Sequence, residues 1–306
     1  MNNNPEYSFT IEIEKYLIKF RTYLETKQLD KSTIRMKTNY TGYFLKWLET
    51  ENLQQTSVTY NDLLVFIDYC KEKGRSSKHI NTILRAIRNY YEYLKITDKY
   101  LINPAKSLHL KGIRKKLPQG ILPYETLEKL YNNYKTDDLR AKRNKIILGL
   151  LIYQGVTTDE LQRIKVNNID LKTGKINVLG SKRNNGRKLE LKSAQVLELQ
   201  EYIKVIRTEI INQEPEQLVV SMQGSGNIKN SLYHMFRQVK KINPDIRNAK
   251  QIRLSVITYW LKNYNLRKVQ YMAGHKYVSS TERYQKNDME SLQKQLDLFH
   301  PLNSNL

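Results

Sequence analysis

KQIRLSVITYWLKNYNLRKVQYMAGHKYVSSTERY, residues 250–284, decides how the rest of the chain is read. Arg253 opens an apolar helical run. Gly274-His275 closes the next one, with glycine where helices commonly turn into left-handed backbone. Tyr284 follows nine residues after the histidine. Singly these residues are ordinary. The chain has 22 tyrosines among 306 residues, a lone arginine serves an ion pair, and a histidine after glycine simply caps a helix. Their joint spacing is what sets them apart, because it offers a guanidinium, an imidazole and a phenol from one helical frame.

Working outward, charge comes next. Lysine and arginine number 52 against 30 acidic residues, a formal net charge of +22. Such an excess points to a polyanion, most simply nucleic acid, rather than to a membrane surface. Richness in Lys, Asn, Ile and Tyr is a blander source of the same bias. Cys70 is the single cysteine, which excludes an intramolecular disulfide and a thiolate metal cluster; within LLVFIDYC it reads as a small core residue. His79, His109, His234, His275 and His300 show no local metal-ligand spacing. No run approaches the roughly 18 apolar residues of a membrane span, and the start MNNNP lacks the regions of a signal peptide. A reducing, cytoplasmic setting is expected.

In the first hundred residues, apolar groups recur at helical spacing over 9–27, from Asp30-Lys31 through TNYTGYFLKWLE, from Thr59 to Gly74, and from Ser76-Ser77 through HINTILRAIRNYYEYL. Short loops join them, so a compact four-helix bundle is expected over 1–108. Its polar faces carry Lys31, Arg35, Lys37, Lys78, Arg85 and Arg88. Each alone is as well explained as a solvated surface; together they suggest a bundle lying against a DNA backbone. A linker is expected over 109–122, with Gly112, Pro118 and Gly120 as breakers and the cluster Arg114, Lys115 and Lys116. Such a basic linker could complete a ring around a duplex.

The second domain, 123–306, reads as mostly helical. Helices are expected from Pro123-Tyr124, over RNKIILGLLIYQG, after the capping residues TTDE, over AQVLELQEYIKVI, and over 228–240. IDLKTGKINVLGSKRNNGRKLEL holds short alternating runs with turn signals at TG and NNG, a small three-stranded meander. The overall fold class is therefore mainly α, a bundle followed by a helical domain with one small sheet.

The motif IRLS…YMAGHK…TERY, with LPQGILPYETL and the preceding hairpin, resembles the tyrosine recombinases of the phage integrase family. That resemblance covers nearly the whole chain and implies a core-binding bundle and a catalytic domain. By the family pattern, Tyr284 matches the nucleophile, Arg253 the second catalytic arginine and His275 the histidine before the tyrosine. Lys182 matches the hairpin lysine, with Arg183 as the competing register, and Glu160 matches the family's acidic residue. Two positions depart. Thr157 stands where the family has its first arginine, and Lys250 where it has the histidine of HxxR. Arg183 and Arg187 are further expected DNA contacts.

The resemblance implies a site-specific recombinase acting on double-stranded sites with inverted repeats, as a homo-tetramer on DNA in the nucleoid, without metal, ATP or other cofactor. A phenol, about one in a thousand ionised at pH 7, would attack a phosphate whose growing charge Arg253, His275 and Lys250 stabilise. Lys182 would protonate the leaving 5′-hydroxyl. Threonine cannot replace a guanidinium fork. Three outcomes stay open for Thr157: rescue by another arginine, slow regulated chemistry, or a DNA-binding accessory protein that no longer cuts. Arg163 lies about 240° round a helix from Thr157, whereas Arg183 or Arg187 could enter from the hairpin. A relaxing type IB-like topoisomerase is a further alternative. The apolar tail with Leu292, Leu296, Leu298 and Phe299 would dock on a neighbouring subunit or on its own domain.

Overall fold

The computed structural model describes residues 8–97, 102–111, 120–211 and 215–285. They fall into two compact units that divide between Lys115 and Lys116.

The first unit is built on four helices: α1 (Ile11–Thr26), α2 (Lys31–Thr50), α3 (Tyr60–Glu72) and α4 (Ser77–Thr97). On α1, Ile13, Leu17, Phe20 and Leu24 repeat at three and four residues and are all buried, the stripe that binds the helix to α2 and α4. Thr59 and Asp62 close a reciprocal capping box at the start of α3. Gly74, at φ +71, ends it. Phe20, Phe44, Phe66, Tyr90 and Tyr91 are fully excluded from solvent. Phe44 and Phe66 meet edge to face at 5.1 Å, a favoured aromatic geometry. Cys70 is buried among them, where desolvation pushes its thiol up to about 12.

Residues 102–111 belong to this unit. The Asn81 side chain pairs with the backbone N–H and carbonyl of Leu110. Arg88 donates to the carbonyls of Ala105 and Leu108 at 3.0 and 2.8 Å. The expected linker 109–122 is thus docked at its near end, and at its far end too: Gln251 donates to the carbonyl of Gly120 and Leu122 donates to Ser255 Oγ, both within the second unit.

The second unit begins with α5 (Tyr124–Asn132) and α6 (Leu139–Tyr153), the latter apolar on nearly every face and buried from Ile146 to Ile152. The short α7 (Thr158–Arg163) leads into an antiparallel meander of β1 (Ile169–Asp170), β2 (Lys175–Val178) and β3 (Arg187–Glu190). Register pairs Val178 with Arg187 and Ile176 with Leu189. The expected single helix after the sheet is instead α8 (Ser193–Glu201), a π turn at Tyr202–Ile206 and α9 (Arg207–Ile210). Then come α10 (Lys229–Ile242), α11 (Ala249–Asn263) and α12 (Leu266–Ala273), and residues 278–285 are again helical. The core gathers α5, α6, α10 and α11 with the inner face of the sheet. Among the described residues, no helix is long and apolar enough to cross a membrane.

Candidate active site

Four features of this unit converge: the start of α7, the first residue of β3, one buried face of α11, and the turn after α12. Thr157 caps α7. Its hydroxyl accepts from the Glu160 N–H, and Glu160 accepts in return from the Thr157 N–H at 2.8 Å, a box that fixes the carboxylate's direction. Glu160 is 1% exposed. Its two oxygens receive the Arg187 guanidinium in a fork, at 2.8 and 3.1 Å, with both side chains closed to solvent. Asn184 adds a third donor at 2.9 Å. Burial pushes the Glu160 carboxyl up, but the hydrogen bonds and charge of Arg187, the Thr157 N–H and the charge of Arg253 outweigh it and bring it down to about 2.

Arg253, four residues into α11, is 7% exposed. It donates to the carbonyls of Gly155 and Ala273 and lies 3.8 Å from the second Glu160 oxygen. Two donors are spent on carbonyls; the fork carries five. Burial lowers its affinity for the proton, Glu160 and the nearby Tyr284 phenol raise it, and Arg187 lowers it.

Gly274 ends α12 in left-handed backbone, φ +68, which turns His275 back into the cluster. The His275 N–H donates to the Gln270 carbonyl, and Nδ1 lies 2.9 Å from the Thr281 hydroxyl. Burial, then the charges of Arg253 and Arg187, depress its imidazole to about 4, against a smaller opposing pull from Glu160. The ring is therefore neutral at pH 7. Tyr284 stacks on it, ring centres 5.7 Å apart and planes 21° from parallel, and packs against the apolar core.

The hairpin is strapped to this turn. Asn184 bridges to His275, and the Asn185 N–H donates to the Gly274 carbonyl at 2.9 Å. Lys182 and Arg183 are exposed in the loop two and one residues before Asn184. Lys250, exposed one turn before Arg253, lines a groove of about 470 Å³ with Thr158, Tyr233, Arg237, Lys240 and Arg247. The groove opens beside the α7 start.

Arg187 corrects one expectation. Read as a surface DNA contact, it is instead buried in an ion pair with Glu160, with Nε donating to the Met272 carbonyl at 2.7 Å. Strand alternation contained the signal: Leu189 faces the core, and Arg187, two residues earlier, shares that face. Arg163 turns away from the cluster, holding the Asp159 and Gly180 carbonyls and the Asp159 carboxylate. Nothing in the local sequence pattern marks Asn184, and Thr281 shows only as the threonine of TERY.

In the first unit, Lys31, Arg35, Lys78 and Arg85 are exposed. Lys31 and Arg35 line a shallow groove with Tyr40, whose ring lies 5.3 Å from His79 at the start of α4. Lys37 and Arg88 differ from the expected free surface cations. Lys37 is half-buried on Asn89, with its proton affinity lowered by burial, and Arg88 staples residues 105–108. Arg114, Lys115, Lys116 and the apolar tail lie outside the described residues.

Residues 121–291 match the phage integrase family. The chain belongs to that family. It is 25% identical over 298 residues to the tyrosine recombinase XerC of Oceanobacillus iheyensis, covering 95% of this chain and 97% of that protein. It is 26% identical over 285 residues to the tyrosine recombinase XerA of Pyrococcus horikoshii, covering 92% of each. The fold is that of the XerH site-specific recombinase bound to a palindromic difH substrate (TM-score 0.71, 19% identity, 87% of this chain and 79% of that one). It is also that of the Tn1549 transposon integrase with transposon right end DNA (TM-score 0.66, 18% identity, 91% and 99%). This integrase-family chain is a tyrosine recombinase, a site-specific enzyme of DNA breakage and rejoining. Its sheet and helices follow the family pattern, while its buried arginine on β3 stands beside a threonine at the start of α7.

Proposed function

We propose that the chain exchanges DNA strands through a 3′-phosphotyrosyl intermediate formed on Tyr284. The stacking of Tyr284 on a neutral His275, beside Arg253 and the Glu160–Arg187 pair, carries this reading. The phenol oxygen bonds to phosphorus as the bond to O5′ breaks. The phenol proton passes to solvent during attack, and Lys182 gives its proton to the departing O5′, which leaves as a 5′-hydroxyl. Arg253, His275 and Lys250 donate to the non-bridging oxygens as their charge grows. In the tautomer that carries its proton on Nε2, Nδ1 accepts from the Thr281 hydroxyl and the imidazole keeps its N–H for the phosphate. A second 5′-hydroxyl reverses the step, so the energy of the phosphodiester is conserved without metal or nucleotide.

The substrate is double-stranded DNA with inverted repeats, bound by a homo-tetramer that pairs two sites within the nucleoid. Lys31, Arg35, Lys78, Arg85 and Arg183 contact its backbone. The palindromic substrate of XerH, the similar fold and the +22 charge of this chain support that reading.

The experiment begins by selecting a binding site from a random-sequence duplex pool with the wild-type protein. That site is then rebuilt as a nicked suicide duplex. Wild type is expected to give a covalent protein–DNA product, and Tyr284→Phe to bind with unchanged affinity and give none. A covalent product that persists in Tyr284→Phe would refute the assignment.

A further inference from the structure

A tyrosine recombinase must place a phosphate, already negative, against a site that stabilises still more negative charge. Glu160 is buried in the middle of that site, and an unopposed buried carboxylate would work against the substrate. Among the buried groups, Arg253 alone brings the sum only to zero, because His275 is neutral at pH 7; Lys182 and Lys250 are exposed and lie outside that buried set. Arg187 makes it positive: two guanidiniums, one carboxylate and a neutral ring leave +1.

The surroundings of Arg187 are built for it. Its fork takes both Glu160 oxygens and its Nε takes the Met272 carbonyl. Gly274 leaves the room: a Cβ there would stand 2.6 Å from the Arg187 Nη1. One side chain from the sheet thereby ties α7, the end of α12 and the turn that carries His275. At the position where a guanidinium could come from α7 itself, Thr157 spends its hydroxyl on the helix cap instead.

We propose that Arg187 is the positioning residue that replaces, from strand β3, the arginine missing at Thr157: it neutralises Glu160, orients Arg253 and His275, and leaves the buried part of the site with a net positive charge. It acts through Glu160 and through its field, since its side chain is closed to solvent. The inference rests on the recombinase chemistry proposed above.

The test uses the same suicide duplex with Arg187→Met, Thr157→Arg and the double variant. Single-turnover formation of the covalent product, DNA affinity, and the titration of His275 by NMR are read for each. Arg187→Met is expected to lose about 10²–10³-fold in rate, with affinity within about threefold of wild type, and His275 should bind its proton at higher pH. The double variant, with a guanidinium again available to Glu160, should recover at least about tenfold over Arg187→Met. Thr157→Arg alone should be slower than wild type, because two forks then compete for one carboxylate.

An Arg187→Met rate within about threefold of wild type overturns the proposal, as does a folded double variant no faster than Arg187→Met. If Arg187→Met does not fold, the double variant decides: covalent product within about 100-fold of wild type supports relocation, and a folded, inert double variant refutes it. A wild-type chain that forms no covalent product sinks both the chemistry and this inference. A trapped wild type equalled by Arg187→Met sinks the inference alone.

Discussion

At His275, burial and charge act together on one side chain. Desolvation and two guanidiniums hold its proton affinity down at about 4, against an ordinary 6.5. The unfolded chain therefore takes up the proton first as pH falls. Stability from this residue is complete above about pH 6.5 and is lost as pH drops towards 4. Thermal melts at pH 7, 6 and 5 should show a falling midpoint for wild type and a flatter profile for His275→Gln. A wild-type midpoint that does not move across this window would contradict the assignment. Glu160 shifts likewise, to about 2 from 4.5, but its contribution is lost only between those two values; His79, also lowered by burial and Arg75, titrates in the same window, so the difference between wild type and His275→Gln is what reads His275. Thr281 offers a second test. Thr281→Val keeps shape while removing the hydroxyl from Nδ1, at a cost of about 1 kcal/mol in orienting the ring. Covalent-product formation should slow roughly fivefold with DNA affinity unchanged.

At the scale of elements, capping and turn chemistry fix the site more than the helices do. Gly274 must be glycine twice over, for its positive φ and for the approach of Arg187 and of the Asn185 carbonyl. Gly274→Ala should lower unfolding stability by about 1–3 kcal/mol in denaturant titrations. It should also slow cleavage, because His275 is the next residue. Wild-type stability together with wild-type cleavage in that variant would show that the turn is not held as tightly as its contacts indicate. The same contacts show what was legible in the sequence. The α7 cap, the meander and the Gly-His turn are local features, written in residues three or four apart, and the sequence carried them openly. The Arg187–Glu160 pair joins residues 27 positions apart through a strand register. In KRNNGRKLE, six cations and amides precede the one apolar residue that discloses which face is inward. Alternation from Leu189 names Arg187, but only once the strand's start is known. Likewise Arg88 reads as one more base on a basic helix until the chain returns at 105–108 to use it.

At the scale of the whole molecule, net charge says that the chain attracts DNA, and burial says which cations are available to do it. Lys31, Arg35, Lys78 and Arg85 are exposed, whereas Arg88 and Arg187 are spent inside the protein. Binding of the selected duplex should weaken steeply with salt, each neutralised phosphate adding about 0.9 to the slope of log affinity against log salt. Arg35→Ala and Arg85→Ala should each reduce that slope by about 1, leaving the melting midpoint unchanged. Arg88→Ala should do the reverse. Its loss leaves the carbonyls of Ala105 and Leu108 without their donor, a cost of about 1–3 kcal/mol, so the midpoint falls while the slope stays at the wild-type value. Salt titrations by fluorescence anisotropy, run beside thermal melts of the same preparations, separate the two classes. If Arg88→Ala loses slope as Arg85→Ala does and melts like wild type, burial does not sort the cations of this bundle, and its DNA-facing side must lie across the staple at 105–108.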